Sequence, residues 1–269
     1  MRELQGAVLA WYAEAGRDLP WRRTTDPYAI LVSEVMSQQT QVARIVPRYE
    51  AWLERWPTED ALAQASVADV LGAWVGLGYN SRALRLRDAC AVVARDGWPR
   101  TAAGLRALPG VGPYTAAAVA SFAFGEQVAA VDTNVRRVAG RIGLGTPDEL
   151  VPAGDAATWN QATMELGALV CGARRAACDA CPAAPWCGSA GQVVVTARGA
   201  RGAGVRFEDT NRWVRGRVVA ALTAGEDLPK DIDPERLATA VDGLVRDGLL
   251  RREGSTVALA DGEPGAVVR

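Results

Sequence analysis

Cys171, Cys178, Cys181 and Cys187 stand in a C-x6-C-x2-C-x5-C spacing, four thiols within 17 residues of a chain that has no histidine. Four thiolates so close together suit a metal centre better than two disulfides, and without histidine the site is all sulfur, either zinc or iron–sulfur. Zinc sites usually pair their ligands on two short C-x2-4-C arms. Here there is one short arm, and the loops of six and five residues are long enough to wrap a larger object. A cubane [4Fe-4S] cluster fits this spacing better than zinc. Cys90, in the apolar run Ala89-Cys90-Ala91-Val92-Val93, reads as small core filler.

A second candidate for chemistry is Ser33-Glu34-Val35-Met36-Ser37-Gln38-Gln39-Thr40, a carboxylate and two amides set in an otherwise apolar helix. Burying a glutamate is costly unless it is paired or used, and desolvation raises its pKa toward the range of a general acid. Glu34 is therefore the best general-acid candidate in the chain. Leu108-Pro109-Gly110-Val111-Gly112 lies between two helical stretches, Thr101–Ala107 and Tyr114–Phe124. Gly110 and Gly112 permit a tight hairpin whose backbone N–H groups, Val111 included, and following helix N-terminus can approach a phosphate. An ordinary helical corner fits the same residues. Val131-Asp132-Thr133-Asn134 follows 20 residues on, and taken alone Asp132 and Asn134 read as helix caps.

The elements that must hold these residues are helices throughout the first 190 positions. Apolar residues recur at helical spacing through Ile30, Leu31, Val35, Val42, Ile45 and Val46. Ser66 with Asp69 forms a capping box, Asn80 is placed to cap the next helix, and Pro47 and Pro57 suit first turns. Residues 191–212 carry scattered glycines and arginines and read as a basic linker. Beyond it, Trp213–Leu222 and Pro234–Asp247 read as helices, with short strands at 249–253 and 256–259 around a Gly-Ser turn. That order resembles a small winged-helix module over 213–269.

The chain has 269 residues, 49% of them apolar, enough for one large or two medium cores. It has no run of 18 apolar residues and no signal-like N-terminus, which reads as a soluble, cytoplasmic protein. Net charge is −1 and the one lysine is Lys230. Arginines carry the cationic chemistry, clustered at Arg82, Arg85 and Arg87, at Arg136 and Arg137, and from Arg198 to Arg217. Each cluster also fits a solvated helix face.

Together, the LPGVG hairpin, the later aspartate and the four-cysteine spacing resemble the helix–hairpin–helix DNA glycosylases of the endonuclease III superfamily. Within it, Asp18-Leu19-Pro20-Trp21-Arg22, Ser33–Val42, Gly76-Leu77-Gly78-Tyr79, Leu108–Tyr114, Val131–Arg137 and Asn160–Gly167 are similar to the adenine DNA glycosylases. The resemblance implies an all-α fold over 1–190, with a six-helix lobe at about 22–130 and a [4Fe-4S] lobe from 1–21 and 131–190. It further implies a monomer, nucleoid-associated if bacterial, acting on double-stranded DNA with mismatched or damaged base pairs. The bifunctional members carry a lysine where this chain has Tyr114, and a phenol cannot form an imine. The resemblance therefore points to a monofunctional enzyme that removes adenine opposite 8-oxoguanine or guanine.

By the same resemblance, Glu34 protonates the purine, while Asp132, aided by Tyr114 and held by Asn134, stabilises the sugar cation. Trp21 and Arg22 line the purine pocket, Glu165 bonds the exocyclic amine of adenine, Gln39 and Tyr79 fill the opened stack around the opposing base, and Ser37 and Gln38 lie beside the pocket and wedge. Arg174 and Arg175 lie on the DNA-facing cysteine loop. Plain core packing remains the alternative for Trp21 and Tyr79. Two departures stand out: Ser37 where leucine is usual, which keeps thymine, uracil or hypoxanthine open as targets, and Asn80 in place of a second aromatic. Residues 191–269 are too short for the 8-oxoguanine-recognition domain that many members carry, and their 12 basic and 12 acidic residues do not identify a partner.

Overall fold

The structure is a computed structural model that describes residues 1–38, 40–193, 205–254 and 256–261. Gln39, residues 194–204 of the expected linker, Ser255 of the Gly-Ser turn and residues 262–269 lie outside the described residues. In chain order the helices are α1 (Arg2–Ala15), α2 (Pro27–Ser37), α3 (Val42–Arg55), α4 (Glu59–Ala63), α5 (Val67–Trp74) and α6 (Ser81–Asp96). They continue with α7 (Ala102–Leu105), α8 (Pro113–Phe124), α9 (Thr133–Ile142), α10 (Ala156–Leu169), α11 (Asn211–Thr223) and α12 (Pro234–Arg246). One antiparallel hairpin, β1 (Leu250–Glu253) with β2 (Thr256–Leu259), pairs Leu250 with Leu259. Among the described residues no helix is long and apolar enough to cross a membrane.

Two compact units emerge, Met1–Glu34 with Trp98–Ala200, and Val35–Gly97 with Arg201–Arg269. This grouping differs from the lobes expected at 22–130 and 131–190. In the first unit α1, α9 and α10 pack around Leu4, Val8, Val138, Trp159 and Leu166, and Cys171, Cys181 and Cys187 press against the same core. Alanines 117 and 118 let α8 sit close to Ala130, with Tyr114 and Met164 at the edge.

In the second unit Trp52 meets Trp56 and Trp74 edge-on, with ring centroids 4.7 and 5.4 Å apart, a geometry that favours aromatic quadrupoles. Helix α11 packs on α5 as well as on α12, so the C-terminal helices share this unit. The loop between α5 and α6 turns on Gly76 and Gly78, both at positive φ, and then holds Tyr79 at φ 49°. For a side chain other than glycine that conformation costs about 1–2 kcal/mol.

Several local expectations are realised bond by bond and others are corrected. Ser66 accepts from the Asp69 N–H and its hydroxyl donates back to the Asp69 carboxylate at 2.7 Å. Asn80 occupies the cap position of α6, but its side chain makes no capping bond and its backbone is already helical. Pro47 lies inside α3 rather than in its first turn, leaving the Ala43 carbonyl without its helical donor, and Pro57 precedes the Thr58 cap of α4. Helix α7 stops at Leu105, where tighter turns carry the chain to Leu108. Helix α2 ends at Ser37, so Gln38 and Thr40 follow it. The Arg82 guanidinium takes the Val35 and Gln38 carbonyls at 2.7 and 2.9 Å and supplies that end with donors.

Candidate active site

Helix α2 is opened by Asp26, whose carboxylate accepts from the Tyr28 and Ala29 N–H groups, and it is buried from Tyr28 to Met36. Glu34 therefore sits in an apolar wall with only 8% of its surface exposed. Loss of water pushes its carboxyl up to about 7; a hydrogen bond with Tyr114 and the charge of Arg22 oppose that rise, and Asp132 adds to it. Tyr114 stands in the first turn of α8, with its hydroxyl 3.7 Å from the Met164 sulfur. Burial, then Glu34 and Asp132, hold the phenol well above its ordinary value. Glu34, Tyr114 and Asp132 thus form one electrostatic group.

Asp132 caps α9. One carboxylate oxygen accepts from the Val135 N–H at 2.6 Å and the other from the Asn134 amide at 2.8 Å. Asn134 is held in turn by Arg137, which donates to its carbonyl oxygen at 2.7 Å. The same guanidinium reaches the Gly167 carbonyl at 2.6 Å and the Cys171 carbonyl at 2.8 Å, tying the Asp132–Asn134 turn to the cysteine loop. Behind it, buried Asn160 accepts from the Ala130 N–H and donates to Ser121 and the Val128 carbonyl, fixing the approach to Asp132. Gly167 lies so close that a Cβ there would stand 2.5 Å from the Asn134 Cβ. Gly167→Ala is expected to displace Asn134, lowering stability by about 1–3 kcal/mol and slowing base release. Thermal unfolding and single-turnover kinetics check it; an unchanged rate would remove Asn134 from the catalytic group.

The base-pocket candidates divide. Glu165 is fully enclosed, and its two oxygens accept from the Arg17 guanidinium at 2.6 and 2.9 Å and from Arg22 at 2.7 Å. Burial alone would raise this carboxyl, but the arginine hydrogen bonds outweigh it and hold it at about 2. Adenine would reach Glu165 only by displacing an arginine, so in this arrangement the carboxylate orients Arg22. Trp21 lies in the turn Pro20–Arg22 beside them. Ser37, Gln38 and Tyr79 belong to the other compact unit. The sequence does not single out Arg17 and marks Arg137 only as part of an arginine cluster; that Arg17 faces buried Glu165 and Arg137 holds Asn134 is visible only once the chain is folded.

In the hairpin Gly110 takes φ 73°, Val111 donates to the Leu108 carbonyl, and exposed Gly112 caps α8 ahead of Pro113. An anion can approach Gly112 and the first turn of α8 there. Cys171, Cys178, Cys181 and Cys187 line one cavity with Val170, several alanines and Arg141. Burial raises the Cys181 thiol, and the other three cysteines raise it further. Arg141 donates to the Cys171 sulfur at 3.2 Å, a charge-assisted contact suited to a thiolate. Among the described residues no three histidine, cysteine or acidic side chains are grouped to hold a single metal ion. Cys90 is fully buried and its thiol is pushed up by burial, as core filler would be.

Residues 32–154 match the HhH-GPD superfamily of base excision DNA repair proteins. The adenine DNA glycosylase of Mycolicibacterium smegmatis is 40% identical over 96% of this chain and 97% of its own length. That of Mycobacterium tuberculosis is 41% identical over 91% of this chain and 89% of its own. Among solved structures, a thermostable thymine-DNA glycosylase aligns at TM-score 0.65 and 28% identity, over 70% of this chain and 94% of that one. The chain accordingly belongs to the adenine DNA glycosylases, helix–hairpin–helix enzymes of base excision repair that hydrolyse N-glycosidic bonds.

Proposed function

We propose that this enzyme removes adenine mispaired with 8-oxoguanine or guanine, as a monomer on double-stranded DNA, and leaves the abasic strand uncut. The observation that carries the reading is the Glu34–Tyr114–Asp132 group, in which a buried carboxyl is set near 7 beside a second whose oxygens accept from the Asn134 amide and the Val135 N–H. The target nucleotide is flipped out, because its glycosidic bond cannot be reached in the stack. Glu34 delivers its proton to N7 of adenine, so the base leaves neutral. Positive charge then grows on the sugar, and the Asp132 carboxylate faces it, with water completing the hydrolysis. Trp21 and Arg22 line the pocket, with Arg22 oriented by Glu165. Gly110 and Gly112 present backbone to a phosphate, while the Val111 N–H closes the hairpin on the Leu108 carbonyl.

The four cysteines fit a [4Fe-4S] cluster: their sulfurs share one apolar cavity with a cationic N–H donor at its edge. Bound there, the cluster supplies rigidity to the loop carrying Arg174 and Arg175, which face DNA in this reading.

Single-turnover base release from duplexes carrying A:8-oxoG, A:G, T:G, U:G and hypoxanthine:T, with and without alkali, tests the reading. Iron, sulfide and zinc are assayed on the same preparation. Adenine release that needs alkali to cut the strand is expected, with iron and sulfide in equal amounts. Thymine release without adenine release would assign the Ser37 position a changed pocket, and zinc in place of iron would overturn the cluster.

A further inference from the structure

Tyr79 is held in an unusual way. It is the one residue other than glycine at positive φ among the described residues, and 43% of its surface is exposed. Its hydroxyl accepts from Arg212 in the first turn of α11, 133 positions away, at 2.8 Å. The Arg212 guanidinium also lies 4.7 Å from the centre of the Tyr79 ring and 4.9 Å from that of Phe207, itself half exposed. Arg82 approaches the same tyrosine at 5.6 Å while bonded to the Leu77 and Gly78 carbonyls. Among the described residues no carboxylate pairs with Arg212.

A ring placed for packing would be turned inward. Here a cation–aromatic stack faces solvent, between cavities of about 300 and 650 Å³ whose walls include Arg44, Arg212 and Trp213. Nucleobases stack on surfaces of this composition. We propose that Arg212 is a positioning residue for Tyr79. Through it, the C-terminal helices set how strongly the enzyme discriminates the base opposite the target adenine. This rests on the proposed adenine excision, and on Tyr79 entering the opened stack. Arg212 holds the left-handed tyrosine in one orientation before DNA arrives, so no ordering remains to be done on binding. Phe207 closes the stack from the linker side.

Arg212→Ala, Arg212→Lys and Tyr79→Phe are compared with the unaltered enzyme in single-turnover adenine release from A:8-oxoG and A:G duplexes, with thermal unfolding of each protein. Arg212→Ala is expected to lower the 8-oxoG/G rate ratio about fivefold, the worth of one exposed cation–aromatic and hydrogen-bonded contact. Tyr79→Phe, which keeps the ring and loses the hydroxyl, should show part of that loss, and Arg212→Lys should regain part of it. A purely structural role for Arg212 would lower the unfolding temperature and leave the ratio alone. An unchanged ratio in all three variants overturns the positioning role. Should Arg212→Ala fail to fold, Tyr79→Phe and Arg212→Lys decide the question. If the unaltered enzyme releases no adenine from either duplex, it is the proposed activity that fails.

Discussion

Asp132→Asn is expected to slow adenine release by about 10³-fold while DNA affinity is largely kept. The substitution isolates charge because asparagine ranks beside aspartate as a helix cap, so α9 should still begin at Thr133. What it removes is one of two acceptors. The Asp132 carboxylate now receives Val135 N–H on one oxygen and the Asn134 amide on the other, and an amide side chain can serve only one of them. That loss is worth about 1 kcal/mol of stability, too small to explain a thousandfold effect. Single-turnover rates and equilibrium binding to the same duplex decide it; an equal loss of both would make Asp132 a structural cap and nothing more.

Glu34→Gln should match that loss of rate and reverse its effect on stability. General acid catalysis contributes about 10²–10⁴-fold, and glutamine has no proton to give. In the unaltered enzyme the rate should fall about tenfold per pH unit above about 7, as the acid form is lost, and the residual rate of the variant should show no such limb. The stability sign follows from the same shift. The folded carboxyl titrates near 7 and the ordinary one near 4.5, so the folded state holds a proton that the unfolded state releases first. Stability is unaffected by this group below pH 4.5, declines between 4.5 and about 7, and above that carries a cost of roughly 3 kcal/mol. Glu34→Gln should therefore unfold at a higher temperature than the parent at pH 8 and show a smaller difference at pH 4. A parent enzyme whose stability does not decline across that window would show that Glu34 is not buried as an acid.

The features legible beforehand were those written in short stretches of chain. Ser66 and Asp69 form their reciprocal bonds across three residues, and Gly110 and Gly112 shape the hairpin within five. The burial of Glu34 was readable because Ile30, Leu31, Val32, Val35 and Met36 surround it on its helix. What could not be read is what comes from far along the chain. Arg17 and Glu165 meet across 148 positions, and Arg137 reaches the Cys171 carbonyl across 34. Sequence alone leaves Glu165 a plausible partner for adenine, whereas the folded chain spends both of its oxygens on arginines. Pro47 misled for a different reason: packing of Ile45, Tyr49 and Trp52 keeps α3 continuous through a residue that breaks isolated helices.

The arginines used inside the molecule change how its attraction to DNA should be counted. The chain carries 30 cationic side chains, yet Arg82, Arg137 and Arg141 are bound to backbone carbonyls, and Arg215 and Arg217 are paired with Asp247 and Asp231. A guanidinium whose donors are taken cannot clamp a phosphate and displace the ions condensed there. Counterion release on DNA binding, and with it the steepness with which added salt weakens the complex, is therefore set by the arginines whose donors remain unpaired and falls short of the full count. A chain of net charge −1 and pI near 5.7 meets a polyanion through local geometry, with its overall field contributing little.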